Sequence, residues 1–152
     1  MKIISLLLLI ISLNFSVKAE LIKADPSIDP KEVIQIQLNA LKVNNSPFKD
    51  AGIAQTWEFA HPNNRKFTGP LENFTKMMYS DSYSVMLNHL ENNIIMVSTE
   101  DNKSFYFVEI LDKNYKKFGF TWVVEQVIEG PQFRDCWMTT SVSRPMALSQ
   151  ST

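Results

Sequence analysis

The 152-residue sequence predicts an α+β fold in which three N-terminal helices pack on a curved antiparallel sheet of about five strands. Apolar residues recur at helical spacing through roughly the first half of the chain, in stretches separated by proline and asparagine. From residue 83 onward, the pattern changes to alternating side chains rich in aromatic and β-branched residues. Helices followed by strands in meander order indicate two separate layers.

The first predicted helix begins at Asp29-Pro30, because aspartate is a good N-cap acceptor and proline needs no N–H partner at the first helical position. The segment that follows is apolar over more than half of the helical wheel, which predicts contacts with several neighbouring elements. His61-Pro62 is expected to end the second helix. The boundaries are Ile53–Ala60 for the second helix, residues 63–69 for a loop, and Pro70 to residue 79 for the third helix.

The second half predicts five short strands. The fourth alternates most clearly, with Phe120, Trp122 and Gln126 on one face and Thr121, Val123 and Val127 on the other. We expect one domain over residues 30–144, with an extended leader before it (20–29) and a flexible tail after it (145–152). The predicted strands are Tyr83–Asn88, Ile94–Thr99, Ser104–Leu111, Phe118–Ile128 and Phe133–Ser143.

Residues 1–19 have the features of an export signal. Lys2 precedes the apolar run Ile3–Phe15, and Val17 and Ala19 suit the −3 and −1 positions of a cut after Ala19. An uncleaved anchor is the alternative, but the run is shorter than the roughly 20 residues of a membrane-spanning helix. The sequence therefore predicts a periplasmic or extracellular protein without a stable membrane anchor.

Charge and motif content exclude several classes of function. Fifteen basic and sixteen acidic residues give no basic surface for nucleic acid, and the single Cys136 excludes an internal disulfide. We expect Cys136 to be buried and inert, with a reactive thiol as the alternative. The motifs HExxH, CxxC, DxDxDG, GxGxxG and GxSxG are absent. The sequence thus predicts no metal site and no cofactor.

A curved sheet that its helices do not fill completely is expected to leave a pocket lined by apolar and aromatic residues. For His89, a solvent-exposed position at a hairpin end is the alternative to a place in the pocket. Arg65 either binds an anion or ties its loop to a helix end, and Gln126 either enters the cavity or marks where the sheet leaves the core. The candidate pocket or rim residues are Asn64, Arg65, Tyr83, Asn88, His89 and Gln126.

Further polar groups are weaker candidates. Glu58 and His61 are spaced to pair on the second helix, although such pairs are more often solvated surface contacts. Tyr106 and Asp135 are additional groups able to donate or accept inside a cone. The three tryptophans, Trp57, Trp122 and Trp137, are expected in the core because large aromatics dominate small cores by area.

Four stretches carry a resemblance to a known family: IQIQLNALKVNN, WEFAHPNNRKFTGPLENFTKMM, YSVMLNH and CWMTTSV. They resemble an uncharacterised family of small bacterial and plant domains of unknown function. The resemblance covers Pro30 to Val142, and its most distinctive part is the spacing FAxPxNRxxTGPLxxF, which ends at Phe74. It implies a nuclear-transport-factor-like (cystatin-like) α+β cone.

The resemblance implies little about activity. The wider superfamily includes ketosteroid isomerase, scytalone dehydratase, limonene epoxide hydrolase and many binding proteins without catalysis. An isomerase-type site needs a carboxylate base, a tyrosine and a protonated acid in a dry pocket. No such triad can be matched to this sequence, so no catalytic residue is assigned.

Two functions are therefore expected. The first is a non-catalytic module that binds a small apolar or amphipathic ligand, or that pairs with a second copy or with another protein through a sheet face carrying Thr121, Val123 and Val127. The alternative is a cofactor-free isomerase, dehydratase or hydrolase that uses His89 with a carboxylate or tyrosine. An acid within hydrogen-bond reach of His89, inside an enclosed pocket, distinguishes the second function from the first.

Overall fold

The computed structural model describes residues 20–149 and confirms the α+β class. Its helices form one layer and its strands form a single antiparallel sheet. The predicted export signal, residues 1–19, lies outside the described residues. In chain order the elements are α1 (Pro30–Lys42), α2 (Ala51–Glu58), α3 (Pro62–Thr68), α4 (Leu71–Met78), a 3-10 turn (Ser84–Met86), β1 (Glu91–Glu100), β2 (Lys103–Leu111), β3 (Lys117–Gln126), β4 (Trp137–Val142) and β5 (Met146–Leu148).

Helix α1 begins where the sequence predicts. The Asp29 carboxylate accepts a hydrogen bond from the backbone N–H of Glu32 at 2.9 Å, and Pro30 occupies the first turn. The apolar face of the helix is fully buried against the sheet and α2. Its core residues are Val33, Ile34, Leu38 and Leu41.

The sheet runs β1-β2-β3-β4, and β5 pairs with β3 beside β4. Along β2 and β3 the buried side chains alternate as predicted, and Tyr106 lies opposite Trp122 on the face that α1 covers. The opposite face of the same strands carries Phe105 and Phe107. Between residues 20 and 149, the helices lack the length and apolar character needed to cross a bilayer.

The predicted loop at residues 63–69 is instead largely helix α3, so residues 20–149 contain four α-helices rather than the three predicted. Pro62 opens α3 rather than only ending α2, because His61 is the N-cap and its Nδ1 accepts from the backbone N–H of Asn63 at 3.1 Å. The sequence of α3, PNNRKFT, has no apolar periodicity, and this hides the helix from pattern analysis.

The predicted strand at Tyr83–Asn88 is also wrong. Backbone bonds from Ser84 to Ser80 and from Met86 to Tyr83 close helical turns, and Asn88 adopts a left-handed φ of 56°. The first strand begins at Glu91, beyond this turn. These residues therefore form a turn, although their aromatic and β-branched composition is typical of a strand.

Strands β3 and β4 are shorter than predicted. Phe133 and Asp135 have left-handed backbone conformations, so β4 begins only at Trp137. Val127, which we expected on the outer sheet face, is only 3% exposed and packs with Cys136 and Met138. The buried thiol has a pKa raised by burial, as expected of an inert cysteine.

Both ends of the predicted domain are tied down. The Gln55 side chain bonds the backbone N–H and C=O of Ile22, each at 2.8 Å, so the predicted leader docks on α2. Residues 146–148, which we assigned to a flexible tail, pair with the start of β3 as strand β5, with Met146 opposite Gly119. Unpaired backbone groups at this end of β3 supply the partners that the tail needs.

Candidate functional site

A cavity of about 340 Å³ lies between the helices and the sheet. Side chains from all four helices, the 3-10 turn, β3 and β4 form its walls. The volume lies in the range of small-molecule sites in proteins. Its apolar lining includes Leu41, Phe74, Met77, Met78, Met86 and Trp122.

The cavity is uncharged. None of the described residues that line it is an aspartate, glutamate, lysine, arginine or histidine. Its polar groups are hydroxyls and amides, and one aromatic side chain, Phe67, is 91% exposed at its edge. The main polar residues of the wall are Gln37, Thr56, Asn64, Tyr83, Thr139 and Thr140.

A buried chain of hydrogen bonds crosses one wall. Trp122 Nε1 donates to Thr139 Oγ1 at 3.0 Å, and Thr139 Oγ1 donates to Gln37 Oε1 at 2.7 Å. Gln37 Nε2 then donates to the Thr56 carbonyl at 3.0 Å. Because an indole N–H can only donate, the Thr139 hydroxyl must accept from Trp122 and donate its own hydrogen bond to Gln37. The direction of the whole chain is therefore fixed.

Thr139 also joins the helices to the sheet through its backbone. Its N–H donates to the Phe59 carbonyl, and its carbonyl accepts from the His61 N–H, each at 2.8 Å. Asn64 Nδ2 donates to the same carbonyl at 3.3 Å. These bonds attach the α2–α3 connection to the side of β4, and they set the width of the cavity at this edge.

Arg65 fixes the start of α3 to the end of α2. Its guanidinium donates to the carbonyls of Ala60 and Trp57, at 2.9 and 2.8 Å. The charged group lies 4.7 Å from the centre of the Trp57 ring and 5.2 Å from that of Phe133. Burial lowers the pKa of Arg65 below its usual range. Arg65 therefore has the structural role, tying α3 to a helix end.

Two of the six predicted pocket residues line the cavity. Asn64 is half-buried on α3, and the Tyr83 hydroxyl donates to the Val142 carbonyl at 3.2 Å. Asn88 lies outside the cavity, where its Oδ1 accepts from the Asn44 N–H at 3.2 Å. Gln126 also lies outside, because the end of β3 turns its amide toward the Asp135 carbonyl at 3.0 Å.

His89 lies neither in the cavity nor in solvent. It is 2% exposed, with Nδ1 at 2.7 Å from the Met86 carbonyl and Nε2 at 2.9 Å from Asn92 Nδ2. A carbonyl can only accept, so Nδ1 carries the hydrogen and Nε2 accepts from the amide. Burial lowers the pKa of His89, which favours this neutral tautomer.

The enzyme hypothesis required an acid beside His89, and the two ring nitrogens bond a carbonyl and an amide instead. Glu58 pairs with Lys23 at 2.9 Å rather than with His61. Within residues 20–149, no group of three His, Cys, Asp or Glu side chains is placed to hold a metal ion. Tyr106 is buried in the core, and Asp135 is exposed in the turn before β4.

The two residues at the centre of the wall, Gln37 and Thr139, are not among the site residues predicted from the sequence. Gln37 is a polar residue between Ile34 and Leu41 on the buried face of α1, and it is 1% exposed. This break in an apolar face was a usable signal for a buried polar contact. Thr139 gave no such signal, because threonine is common in strands.

No protein-family model, no curated protein and no solved structure matches this chain. The resemblance to an uncharacterised domain family therefore stays a prediction. By its fold and site, the chain is an α+β protein with an uncharged and mainly apolar cavity between its two layers.

Proposed function

We propose that this protein binds a small, neutral and mainly apolar ligand in the cavity between its helices and its sheet. The observation that carries the proposal is the wall itself: aromatic, methionine and aliphatic side chains with hydroxyls and amides but no charge. A ligand that buries about 200 Å² of apolar surface there gains roughly 5 kcal/mol before the costs of association.

The absence of charge among the described lining residues sets the class of ligand. An ion that entered this cavity would lose its hydration without meeting an opposite charge, and that loss costs several kcal/mol. A neutral molecule avoids this cost. The proposal therefore excludes carboxylates and ammonium ions as preferred ligands.

The place of action that we propose is outside the cytoplasm. Support comes from the short basic start, the apolar run and the small residues at Val17 and Ala19. A fatty or aromatic ligand of low solubility is one that an exported binding protein is suited to hold. The nuclear-transport-factor-like cone that the family resemblance implies would also have its cavity between the helices and the sheet.

Two fluorescent probes with the same skeleton test the proposal. N-phenyl-1-naphthylamine is neutral, and 8-anilinonaphthalene-1-sulfonate carries one negative charge on the same ring system. We expect the neutral probe to bind the mature chain, defined as residues 20–152 after the predicted cut, with a blue-shifted and saturable fluorescence signal. We expect the sulfonate to bind at least tenfold more weakly. Equal affinity for the two probes, or none for either, contradicts the proposal.

Two variants test whether the fluorescent probe binds in the cavity. Ala60 lines the cavity and is 2% exposed, so Ala60→Leu adds three carbons at its wall. Ala54 lies on α2 outside the cavity, and Ala54→Leu is the matched control. We expect Ala60→Leu alone to weaken the neutral probe, by about tenfold, while both variants keep a cooperative thermal transition.

The outer face of the sheet supports a second proposal, a homodimer. Phe105 and Phe107 lie on this face with Val123, and Phe107 covers Gly119, where an added Cβ would lie 2.4 Å from its ring. Four strands of about nine residues present roughly 600 Å² per copy, near the lower limit for a specific dimer. The ion pair between Lys103 and Glu125, at 3.4 Å, borders the apolar area.

Sedimentation of the mature chain tests the dimer. Ile95 pairs with Phe107 on this face and is 43% exposed, whereas Phe48 is 45% exposed in the α1–α2 connection. We expect Ile95→Lys to give a monomer and Phe48→Lys to leave the dimer intact. A wild-type monomer at high micromolar concentration rules out this interface.

A further inference from the structure

Five of the hydroxyl groups that line the cavity already donate their hydrogens to acceptors within the protein. Thr56 Oγ1 donates to the Gly52 carbonyl at 2.8 Å, and Thr68 Oγ1 donates to the Asn64 carbonyl at 3.1 Å. Thr140 Oγ1 donates to the Val123 carbonyl at 3.3 Å. Thr139 and Tyr83 donate to Gln37 and Val142, as described above.

These five hydroxyls therefore offer a ligand only oxygen lone pairs. A hydroxyl has one hydrogen, and each of these hydrogens is held by an acceptor of the protein. Ser141, whose hydroxyl has no such bond among the described residues, is exposed at the edge of the cavity. The wall is consequently rich in acceptors and poor in donors.

Asn64 is the adaptable polar group of the wall. Its Nδ2 makes one long hydrogen bond, 3.3 Å to the Thr139 carbonyl, and keeps a second N–H. Its Oδ1 has no partner within residues 20–149, and its side chain is half-buried at the cavity. Gln37, by contrast, is held at both ends of its amide. Asn64 thus has both a free acceptor and a free donor.

We infer that the preferred ligand is a neutral apolar alcohol and that Asn64 determines this specificity; the inference rests on the proposed function of the cavity. The ligand hydroxyl donates its hydrogen to Asn64 Oδ1 or to a hydroxyl oxygen of the wall. It accepts from the second Nδ2 hydrogen of Asn64. An ether or ester can only accept, so it leaves the acceptors of the wall without a partner.

The experiment measures displacement of bound N-phenyl-1-naphthylamine by four eight-carbon compounds. 1-Octanol and 1-methoxyheptane have the same number of heavy atoms, but only the alcohol has a hydrogen to donate. Octanoate and octylammonium carry the two charges. We expect 1-octanol to displace the probe at about tenfold lower concentration than the ether, equivalent to ~1.4 kcal/mol, and the two ions to be weaker still.

Two neighbouring asparagines of α3 separate specificity from folding. Asn64→Leu removes the adaptable amide, whereas Asn63→Leu changes an exposed side chain that does not line the cavity. We expect both variants to bind the probe and only Asn64→Leu to lose the preference of alcohol over ether. Retention of that preference in Asn64→Leu shows that Asn64 does not set it.

The outcomes also separate the inference from the proposed function. Probe binding without a preference for the alcohol overturns the inference and leaves the apolar cavity site standing. Failure of the wild-type chain to bind the neutral probe overturns both. A stronger effect of octanoate than of octanol contradicts the uncharged site.

Discussion

Removal of the Thr139 hydroxyl is expected to destabilise the protein strongly. Thr139→Val keeps the shape of the side chain but takes away the oxygen that joins Trp122 Nε1 to Gln37 Oε1. Thr139 is 3% exposed and Gln37 is 1% exposed, so bulk water reaches the unpaired groups only poorly. The variant therefore buries one donor and one acceptor without hydrogen bonds.

The magnitude follows from the number of groups left unpaired. Each buried polar group without a partner costs about 1–3 kcal/mol, so the two groups together lower the free energy of unfolding by roughly 2–6 kcal/mol. This is a large part of the ~5–15 kcal/mol that holds a domain folded. In thermal unfolding, the loss corresponds to a decrease of roughly 6–18 °C.

Urea unfolding of a chain of residues 20–152 without ligand measures the effect. Thr140→Val is the matched control, because its hydroxyl makes one longer bond of 3.3 Å at a half-buried position. We expect the control to cost less than about 1 kcal/mol. If Thr139→Val costs no more than Thr140→Val, the buried chain of hydrogen bonds does not stabilise the wall.

A double variant checks the mechanism. Gln37→Leu with Thr139→Val removes the unpaired acceptor together with its former donor, and the Thr56 carbonyl keeps its bond from the Phe59 N–H. We expect the pair to cost at least 1 kcal/mol less than the sum of the single variants. Additive losses would refute a direct coupling between the two side chains.

Three further predictions concern the helices around the cavity. Burial lowers the pKa of His61 below its ordinary 6.5, so the unfolded chain binds this proton more readily than the folded chain. The free energy of unfolding, measured by urea at each pH, should therefore fall as pH drops below about 6.5. His61→Asn should reduce that slope without abolishing it, because burial also lowers the pKa of His89. Nearby Glu125 opposes this shift and Lys66 adds to it. Gly52→Ala would put a Cβ 2.3 Å from the Ala40 carbonyl oxygen, so calorimetry should show a loss of about 2 kcal/mol or more, whereas an unchanged midpoint contradicts this close crossing. Arg65→Met and Arg65→Lys should each cost about 1–3 kcal/mol in urea unfolding, since lysine cannot reproduce the planar fork; full rescue by lysine would argue against that geometry.

Local sequence determined the elements whose signals lie within a few residues. Asp29 and Pro30 specify the start of α1 through their own side chains, and the alternation around Trp122 specifies β3 through the geometry of an extended chain. The α+β class follows from the order of these patterns. Asn64, chosen from the family resemblance, and Tyr83, chosen as a group able to donate inside a cone, both line the cavity.

Elements whose structure depends on distant partners were missed. Helix α3 is held by His61 and by Thr139, and strand β5 pairs with the edge of the first residues of β3 that β4 does not reach. His89 was placed at a pocket rim because it directly follows the predicted strand Tyr83–Asn88, and a hairpin end exposed to solvent was the alternative. Its burial depends on the 3-10 turn, whose Met86 carbonyl accepts from the ring.

The chemistry of the cavity was decided by tertiary structure alone. Gln37 and Thr139 meet across 102 positions of sequence, and only the packing of α1 on β4 brings them together. A hydrogen-bonding group becomes an available donor or acceptor only after its other partners are known. Sequence determines the residue types and the local turns, whereas the fold determines which polar atoms remain free to meet a ligand.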